Sequence, residues 1–299
     1  MDKEAAVQSL TDTMAKFTAY IGKRLPKDVK YKLAELRTLE TNPLAKSIYD
    51  SMAGNQEAAD KLDRPSCQDT GVIQYFVEAG ARFPLLGELE EILQGATVGA
   101  TRMGPLRHNA VETFDEKNTG TNTGTNIPWL DWRIVPEKDS CVIDVYMAGG
   151  GCTLPGAAKV LMPGQGYEGV AEFVMDVITE RGVNACPPLL VGVGVSTSVD
   201  TASRLSKLAL MRPVDSRSAN DRAALMEDLL EQGLNEIGIG PQGLTGNNSV
   251  MGVNIESSAR HPSTIGVAVN TGCWAHRRGK IKINADLSYE IISHEGVVL

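Results

Sequence analysis

Cys67-Gln68-Asp69-Thr70-Gly71 places a thiol, an amide, a carboxylate, a hydroxyl and a glycine in five consecutive residues. Pro65 stiffens the approach, and a β-type run (Val72, Ile73, Tyr75, Phe76, Val77) follows. A strand anchored in a core behind a rigid turn is a good mount for polar groups that must keep one direction. Two further cysteines sit in comparable turns: Cys186 precedes Pro187-Pro188, and Cys273 lies in Thr271-Gly272-Cys273-Trp274. Prolines and glycines keep such thiols off regular secondary structure and leave their sulfurs free to face a shared pocket. Zinc fits poorly, because no cysteine pair is close in sequence and the four histidines are unhelpfully spaced. Spacing alone leaves three readings open: a metal or cluster site, a catalytic thiol with a distant histidine, or buried structural thiols.

Three thiolates on a four-iron cube would leave one iron without a protein ligand, since such a cluster normally takes four cysteines. An open iron is a Lewis acid, as an open zinc position is, and can hold a hydroxyl and a carboxylate of a substrate. Polarising that C–O bond makes hydroxide a tolerable leaving group, and dehydration then needs a base for the neighbouring proton. Asp69, two residues from Cys67, is placed to be that base or to orient it. Arg107-His108-Asn109, Arg260-His261-Pro262 and His276-Arg277-Arg278-Gly279 are dense in donors for anions, with solvated surface charge as the plain alternative for each arginine. Gly149-Gly150-Gly151 can present consecutive backbone N–H groups as an oxyanion nest, or simply turn the chain. Gly238-Ile239-Gly240-Pro241 and Gly243-Leu244-Thr245-Gly246 lack the Lys-Ser/Thr ending of a phosphate loop, so nucleotide binding is a weak reading.

These groups need a scaffold, and 299 residues give ample room for a core. The 42% hydrophobic and 22% charged content is that of an ordinary soluble globular protein. Apolar runs are broken well short of a membrane span. The opening Met1-Asp2-Lys3-Glu4 does not read as a secretory leader. A net charge of -8 disfavours nucleic acid, which rewards a basic face, but leaves room for an anionic small molecule held by local arginines. Five cysteines scattered through a chain of this length suit a reducing, cytoplasmic setting and are not a disulfide framework.

The periodicity predicts helices first. Val7, Leu10, Met14, Phe17 and Ile21 form one apolar stripe that Pro26 ends, and Val29, Leu33 and Leu36 form a second. Asn42-Pro43 reads as a cap with proline at the first helical position, with Leu44, Ile48 and Met52 facing inward. A helix around Leu85–Leu93 is expected next, then a glycine-broken stretch to Pro105. The Thr-Gly-Thr-Asn repeat over 119–126 reads as a surface loop near a site or an interface. Strands are expected through Val142–Tyr146, Leu189–Val195, Val250–Ile255 and Thr264–Asn270. Helices are expected over Tyr167–Arg181, Ser198–Leu210 and Asn220–Ile237. The scheme predicts a helix-rich single α/β domain over residues 1–299, built around a small mixed β-sheet with its reactive groups at strand ends.

Four segments occur in order: Cys67-Gln68-Asp69-Thr70-Gly71, Asn184-Ala185-Cys186-Pro187-Pro188, Gly238-Ile239-Gly240-Pro241-Gln242-Gly243 and Gly272-Cys273-Trp274-Ala275. Together they resemble the α-part of the iron–sulfur-dependent hydro-lyases, the class I fumarase and tartrate dehydratase family, from the first helix to about Gly279. The resemblance implies Cys67, Cys186 and Cys273 as ligands of a [4Fe-4S] cluster with one iron not ligated by protein, and Cys152 as a neighbour rather than a ligand. It implies Gln68 and Asp69 as substrate contacts, Arg107 as a carboxylate clamp, Gly150 as a backbone donor, and His261 as a weaker candidate for orienting substrate or carrying protons; with its position beside Cys67, Asp69 is also the expected base. Leu106-Arg107-His108-Asn109 and Gly149-Gly150-Gly151-Cys152-Thr153 depart from the Arg-Pro-Asn and Gly-Gly-Gly-Ser-Asn usual in fumarases. That departure shifts the implied small dicarboxylic hydroxy acid from malate or fumarate to L(+)-tartrate, dehydrated to oxaloacetate. Single-chain members run well beyond this length, so the resemblance also implies a separate β-subunit, in an α2β2 assembly. A non-catalytic iron–sulfur protein and a metal-free thiol scaffold are the competing classes.

Overall fold

The structure, a computed structural model, describes residues 2–299. Three helices come first: α1 (Lys3–Lys23), α2 (Lys27–Leu39) and α3 (Pro43–Leu62). Strand β1 (Val72–Gly80) leads through a short 3-10 turn into α4 (Leu89–Met103). The small hairpin β2 (Val111–Glu112) and β3 (Lys117–Asn118) precedes β4 (Trp129–Val135) and β5 (Cys141–Ala148). One helical turn, α5 (Gly150–Thr153), then β6 (Ala157–Leu161), α6 (Gly166–Arg181), β7 (Leu189–Ser196), α7 (Val199–Met211) and α8 (Asp221–Glu236) follow. The chain ends in β8 (Val250–Ser257), β9 (Ile265–Gly272), β10 (Arg278–Ile283) and β11 (Tyr289–Ile291). The class is the expected helix-rich α/β, but the strands divide between two mixed sheets, where one small sheet was expected, with the hairpin apart.

The contacts gather into two units, both discontinuous in sequence. One comprises Met1–Lys27, Gln56–Gly149 and Arg277–Leu299; the other comprises Asp28–Asn55 and Gly150–His276. In the first unit the five-stranded sheet runs β11-β10-β5-β1-β4, with β1 parallel to β4 and antiparallel to β5. The α1 stripe of Leu10, Met14, Phe17 and Ile21 is buried, in one core with Ile73, Val77, Ile143 and Ile281. Burial of each such side chain contributes about 1.5–3 kcal/mol. Tyr75 is fully buried on β1, and its hydroxyl meets Thr18 of α1 at 3.3 Å and Thr97 of α4 at 3.1 Å.

The expected helix begins later than Leu85 and runs through both glycines that read as breaks in the sequence. A Cβ on Gly99 would lie 2.9 Å from the Ala15 Cβ, and one on Gly95 would lie 3.1 Å from Thr11 Cγ2. Gly95 and Gly99 are therefore the face on which α4 approaches α1, not a break.

In the second unit the four-stranded sheet runs β6-β9-β7-β8, with β7 parallel to β8 and antiparallel to β9. Strand β7 is buried along its whole length. It reads as a continuous apolar run because both faces are covered. Gly194 must be glycine, since a Cβ there would fall 1.9 Å from the carbonyl oxygen of Ala202 on α7. The α3 cap is as expected, Asn42 Oδ1 accepting from the Leu44 N–H at 2.9 Å. Its inward face differs: Ala45, Tyr49 and Met52 are buried, whereas Leu44 is exposed. Burying the large Tyr49 ring turns the helix by about one residue from the expected stripe.

Candidate active site

In the first unit the irregular segment between α3 and β1 carries Cys67, half-buried, and Gln68, exposed. The Cys67 thiol lies 3.6 Å from Gln68 Oε1. Asp69 Oδ1 accepts from the Gly71 N–H at 3.0 Å and from Asn109 Nδ2 at 3.0 Å. The same Asn109 amide donates to the Gly71 carbonyl oxygen at 3.2 Å. Gly71 has φ +86°, and a Cβ there would lie 2.7 Å from the backbone of Met147, so the turn requires glycine.

Buried Thr70 accepts from the Arg107 N–H at 2.9 Å, which fastens the Arg107 loop to the Cys67 loop and leaves the guanidinium exposed. Behind that loop stands Asn122, 2% exposed with φ +59°; its Oδ1 accepts from the Asn109 N–H at 2.6 Å. Asn122 Nδ2 donates to Arg107 O at 2.9 Å and to Thr101 Oγ1 at 3.1 Å. The Thr-Asn repeat, expected at the surface near a site, thus buries one asparagine as the prop of the arginine loop.

Arg277 belongs to the same unit. It is buried, donates from Nη2 to the Asp69 carbonyl oxygen at 2.6 Å, and its Nε and Nη1 have no hydrogen-bond partner. A buried cation without an acidic partner is costly.

In the second unit four segments meet at one end of the sheet. The Trp274 N–H donates to the Cys186 carbonyl oxygen at 3.2 Å, which sets exposed Cys186 beside half-buried Cys273. The Gln242 N–H and its side-chain amide both donate to Pro187 O, at 2.9 Å and 3.3 Å. Thr271 Oγ1 donates to Cys152 O at 2.6 Å, and a Cβ on Gly151 would lie 3.2 Å from Asn184 O. The Gly150 turn, the Cys186 loop, the Gly240–Gly243 turn and Cys273 are therefore neighbours. Cys186 takes left-handed φ +55°, and Gly240 (φ +69°) has no space for a Cβ against the Thr245 carbonyl.

Two expectations change here. Gly150 and Gly151 open one helical turn, so these two glycines do not alternate in backbone hand as a nest would. His261 lies before β9 while Cys273 lies after it, and the His261 N–H is bonded to Thr197 past the far end of β7. Eight residues of strand, at ~3.3 Å each, put about 26 Å between those ends. The structure does not bring His261 to Cys186 and Cys273; it is exposed, its Nδ1 accepting from the Ser263 N–H.

No cysteine is in a disulfide, and exposure separates them into two sets. Cys141 and Cys152 are buried, and burial pushes the Cys141 thiol up to about 12. Cys67, Cys186 and Cys273 are the accessible ones, a soft donor set suited to iron and sulfide. Among the described residues no three His, Cys, Asp or Glu side chains are set for a single metal ion. Cys186 and Cys273 belong to the second unit and Cys67 to the first. The donor chemistry fits a cluster.

Sequence reasoning named the Arg107-His108-Asn109 and His276-Arg277-Arg278 segments for their donors but gave no role to Asn109, Arg277 or Asn122. The signal available for Asn122 was an asparagine, tolerant of left-handed backbone, inside a glycine-rich repeat.

A thiol, an amide and a carboxylate on one braced loop, with an arginine beside them and two neighbouring thiols elsewhere in a helix-rich α/β chain, suit the chemistry of a hydro-lyase. The chain belongs to the fumarate hydratase (Fumerase) family, whose pattern it matches over residues 11–282. It is 60% identical over 293 residues to the "L(+)-tartrate dehydratase subunit alpha" of Escherichia coli (strain K12), covering 98% of this chain and 97% of that one. The protein of the same name from Shigella sonnei (strain Ss046) is equally similar, with the same coverage. The "Putative L(+)-tartrate dehydratase subunit alpha" of Methanocaldococcus jannaschii is 34% identical over 269 residues, covering 88% of this chain and 94% of that one.

Proposed function

We propose that this chain is the α-subunit of an enzyme that dehydrates L(+)-tartrate to oxaloacetate and water. The observation that carries the reading is 60% identity across nearly the full length of both chains to a protein of that name. Cys67, Cys186 and Cys273 would hold a [4Fe-4S] cluster with one iron left without a protein ligand. When bound, that group supplies a Lewis acid that makes the substrate hydroxyl a better leaving group.

The rest falls to the chain's own residues. Gln68 and Arg107 bind substrate oxygens, Arg107 as a clamp for one carboxylate. Gly150 offers backbone at the turn beside Cys186. Asp69 takes the proton from the carbon next to the departing hydroxyl, and the enol product relaxes to the ketone. The bonds from Asn109 and Gly71 to Asp69 Oδ1 support this role, because they fix the direction of the carboxylate. Proton transfer is proposed for Asp69 alone, given where His261 stands.

The relatives carry the word "subunit" in their names, which supports a β-subunit partner, and we place the assembly in the cytoplasm as α2β2. No described helix is long and apolar enough to cross a membrane. Since neither unit is continuous in sequence, residues 1–299 are proposed to act as one hydro-lyase domain.

The test is steady-state turnover of the anaerobically prepared α–β complex on tartrate, malate and fumarate, with iron and sulfide measured on the same sample. Tartrate is expected to turn over fastest, with about four irons per α-chain. Faster turnover of malate or fumarate would make the enzyme a fumarate hydratase, and a colourless protein without sulfide would remove the cluster.

A further inference from the structure

Strand β4 closes one margin of the five-stranded sheet: it pairs with β1 on one side, and no described strand pairs with its other side. Open edges invite pairing, and proteins usually blunt them with lysine, proline, a bulge or short length. The other margins are guarded in different ways: β11 has three residues, β6 carries Lys159 at its centre, and β8 has neither lysine nor proline but is buried over Val250–Ile255. Strand β4 has no such guard. Its seven residues hold an uninterrupted register with β1 and contain neither proline nor lysine. They leave Trp129 55%, Trp132 39% and Ile134 50% exposed. Large apolar groups on both faces of a regular open edge mark a surface meant to be covered.

The order of residues along β4 says by what. Let a second β4 run antiparallel to the first about a two-fold axis at Trp132. Trp132 then faces its own copy, Asp131 faces Arg133, Leu130 faces Ile134 and Trp129 faces Val135. Each pair lies on one face of the sheet, because the side-chain period of a strand is two. Both charged residues meet opposite charge, twice by symmetry. Shifting the axis by one residue either way sets Asp131 against Asp131 or Arg133 against Arg133, which is unfavourable. Arg133 is available: its side chain is 71% exposed and leans on Glu78 at 3.3 Å, while Glu78 is also served by Lys138 at 3.1 Å. An isologous two-fold contact requires this self-complementary pattern, and a contact with an unlike subunit does not.

We propose that β4 is the edge on which two copies of this chain join, in the antiparallel register centred on Trp132, giving one ten-stranded sheet across the two-fold axis. The inference places the α–α contact of the assembly proposed above, and it rests on that reading for the presence of two α-chains.

The test uses the co-purified α–β complex, its mass measured by light scattering. Asp131→Arg alone and Arg133→Asp alone are each expected to halve the mass, and the double variant D131R/R133D to restore it. Restoration excludes misfolding as the cause. Trp132→Cys, mildly oxidised, is expected to give an α–α disulfide absent from the wild type under the same treatment. Single reversals that leave the mass intact, or that release β while α stays dimeric, overturn the placement while α2β2 stands. A wild-type mass of one α plus one β instead overturns the stoichiometry, and the contact with it; tartrate turnover is read separately.

Discussion

Asn109 stands with Nδ2 3.0 Å from Asp69 Oδ1 and 3.2 Å from the Gly71 carbonyl oxygen, so one amide fixes both a carboxylate and the backbone after it. The Asn109 backbone is held in turn by Asn122 at 2.6 Å. Asn109 is thus a positioning residue for Asp69. Groups that orient a reacting residue typically cost 10–100-fold when removed. Asn109→Ala is expected to lower kcat on tartrate by about that factor, with KM changed much less and iron content unchanged. A kcat within about threefold of the wild type, or a loss confined to KM, would show that Asp69 does not need this brace.

Thiol chemistry provides a second check, independent of turnover. Reactivity follows exposure and thiolate fraction. In the metal-free chain near pH 8, mass spectrometry after timed alkylation should find Cys186 modified first and Cys67 and Cys273 next. Cys141, buried and with its thiol pushed up to about 12, should react only on unfolding, and buried Cys152 should lag likewise. In the iron-loaded complex the first three should be protected together. Protection of only one or two of them would break the proposed ligand set.

Much of this was legible in the residues. The α1 stripe, the β1 run behind Cys67 and the buried β7 strand carry patterns set by local periodicity, and each is found close to its expected bounds. The Cys186, Gly240 and Cys273 segments, far apart in sequence, meet at one sheet end because strand ends collect turns there. Other features were hidden for physical reasons. β10, Arg-Gly-Lys-Ile-Lys-Ile, alternates charge with apolar groups and looks like a surface segment until Gly279 is seen against Ile21 and Phe17 of α1. Gly95 and Gly99 look like helix breakers until the neighbouring helix is present. No spacing rule places His261, because its distance from Cys273 depends on the chain between them being extended.

The two glycine environments give a prediction of opposite signs. A side chain on Gly99 meets α1 at 2.9 Å, so Gly99→Val should destabilise the chain by about 1–3 kcal/mol through overpacking. Gly54 lies exposed inside α3, and a methyl group added there would meet nothing within 4 Å, so Gly54→Ala should stabilise by roughly 0.5–1 kcal/mol. Urea titration of each variant measures both. Two changes of the same sign would contradict the close approach of α4 to α1.

Asp144 on β5 supplies the pH dependence. Burial raises its carboxyl above the ordinary range, and Lys280, 3.1 Å away, opposes that shift. A carboxyl whose folded value is raised binds its proton more tightly in the native state. Stability therefore falls as pH rises from the unfolded value of about 3.9 through the raised folded value, and is level above it. Asp144→Asn cannot ionise and escapes that loss, while half-exposed Lys280 can turn to water. The Tm of the variant minus that of the wild type should thus be more positive at pH 7 than at pH 4. A difference that stays flat across that range would mean that the Lys280 pair cancels burial, and one that shrinks as pH rises would mean that the pair outweighs it and Asp144 is a net stabiliser when charged.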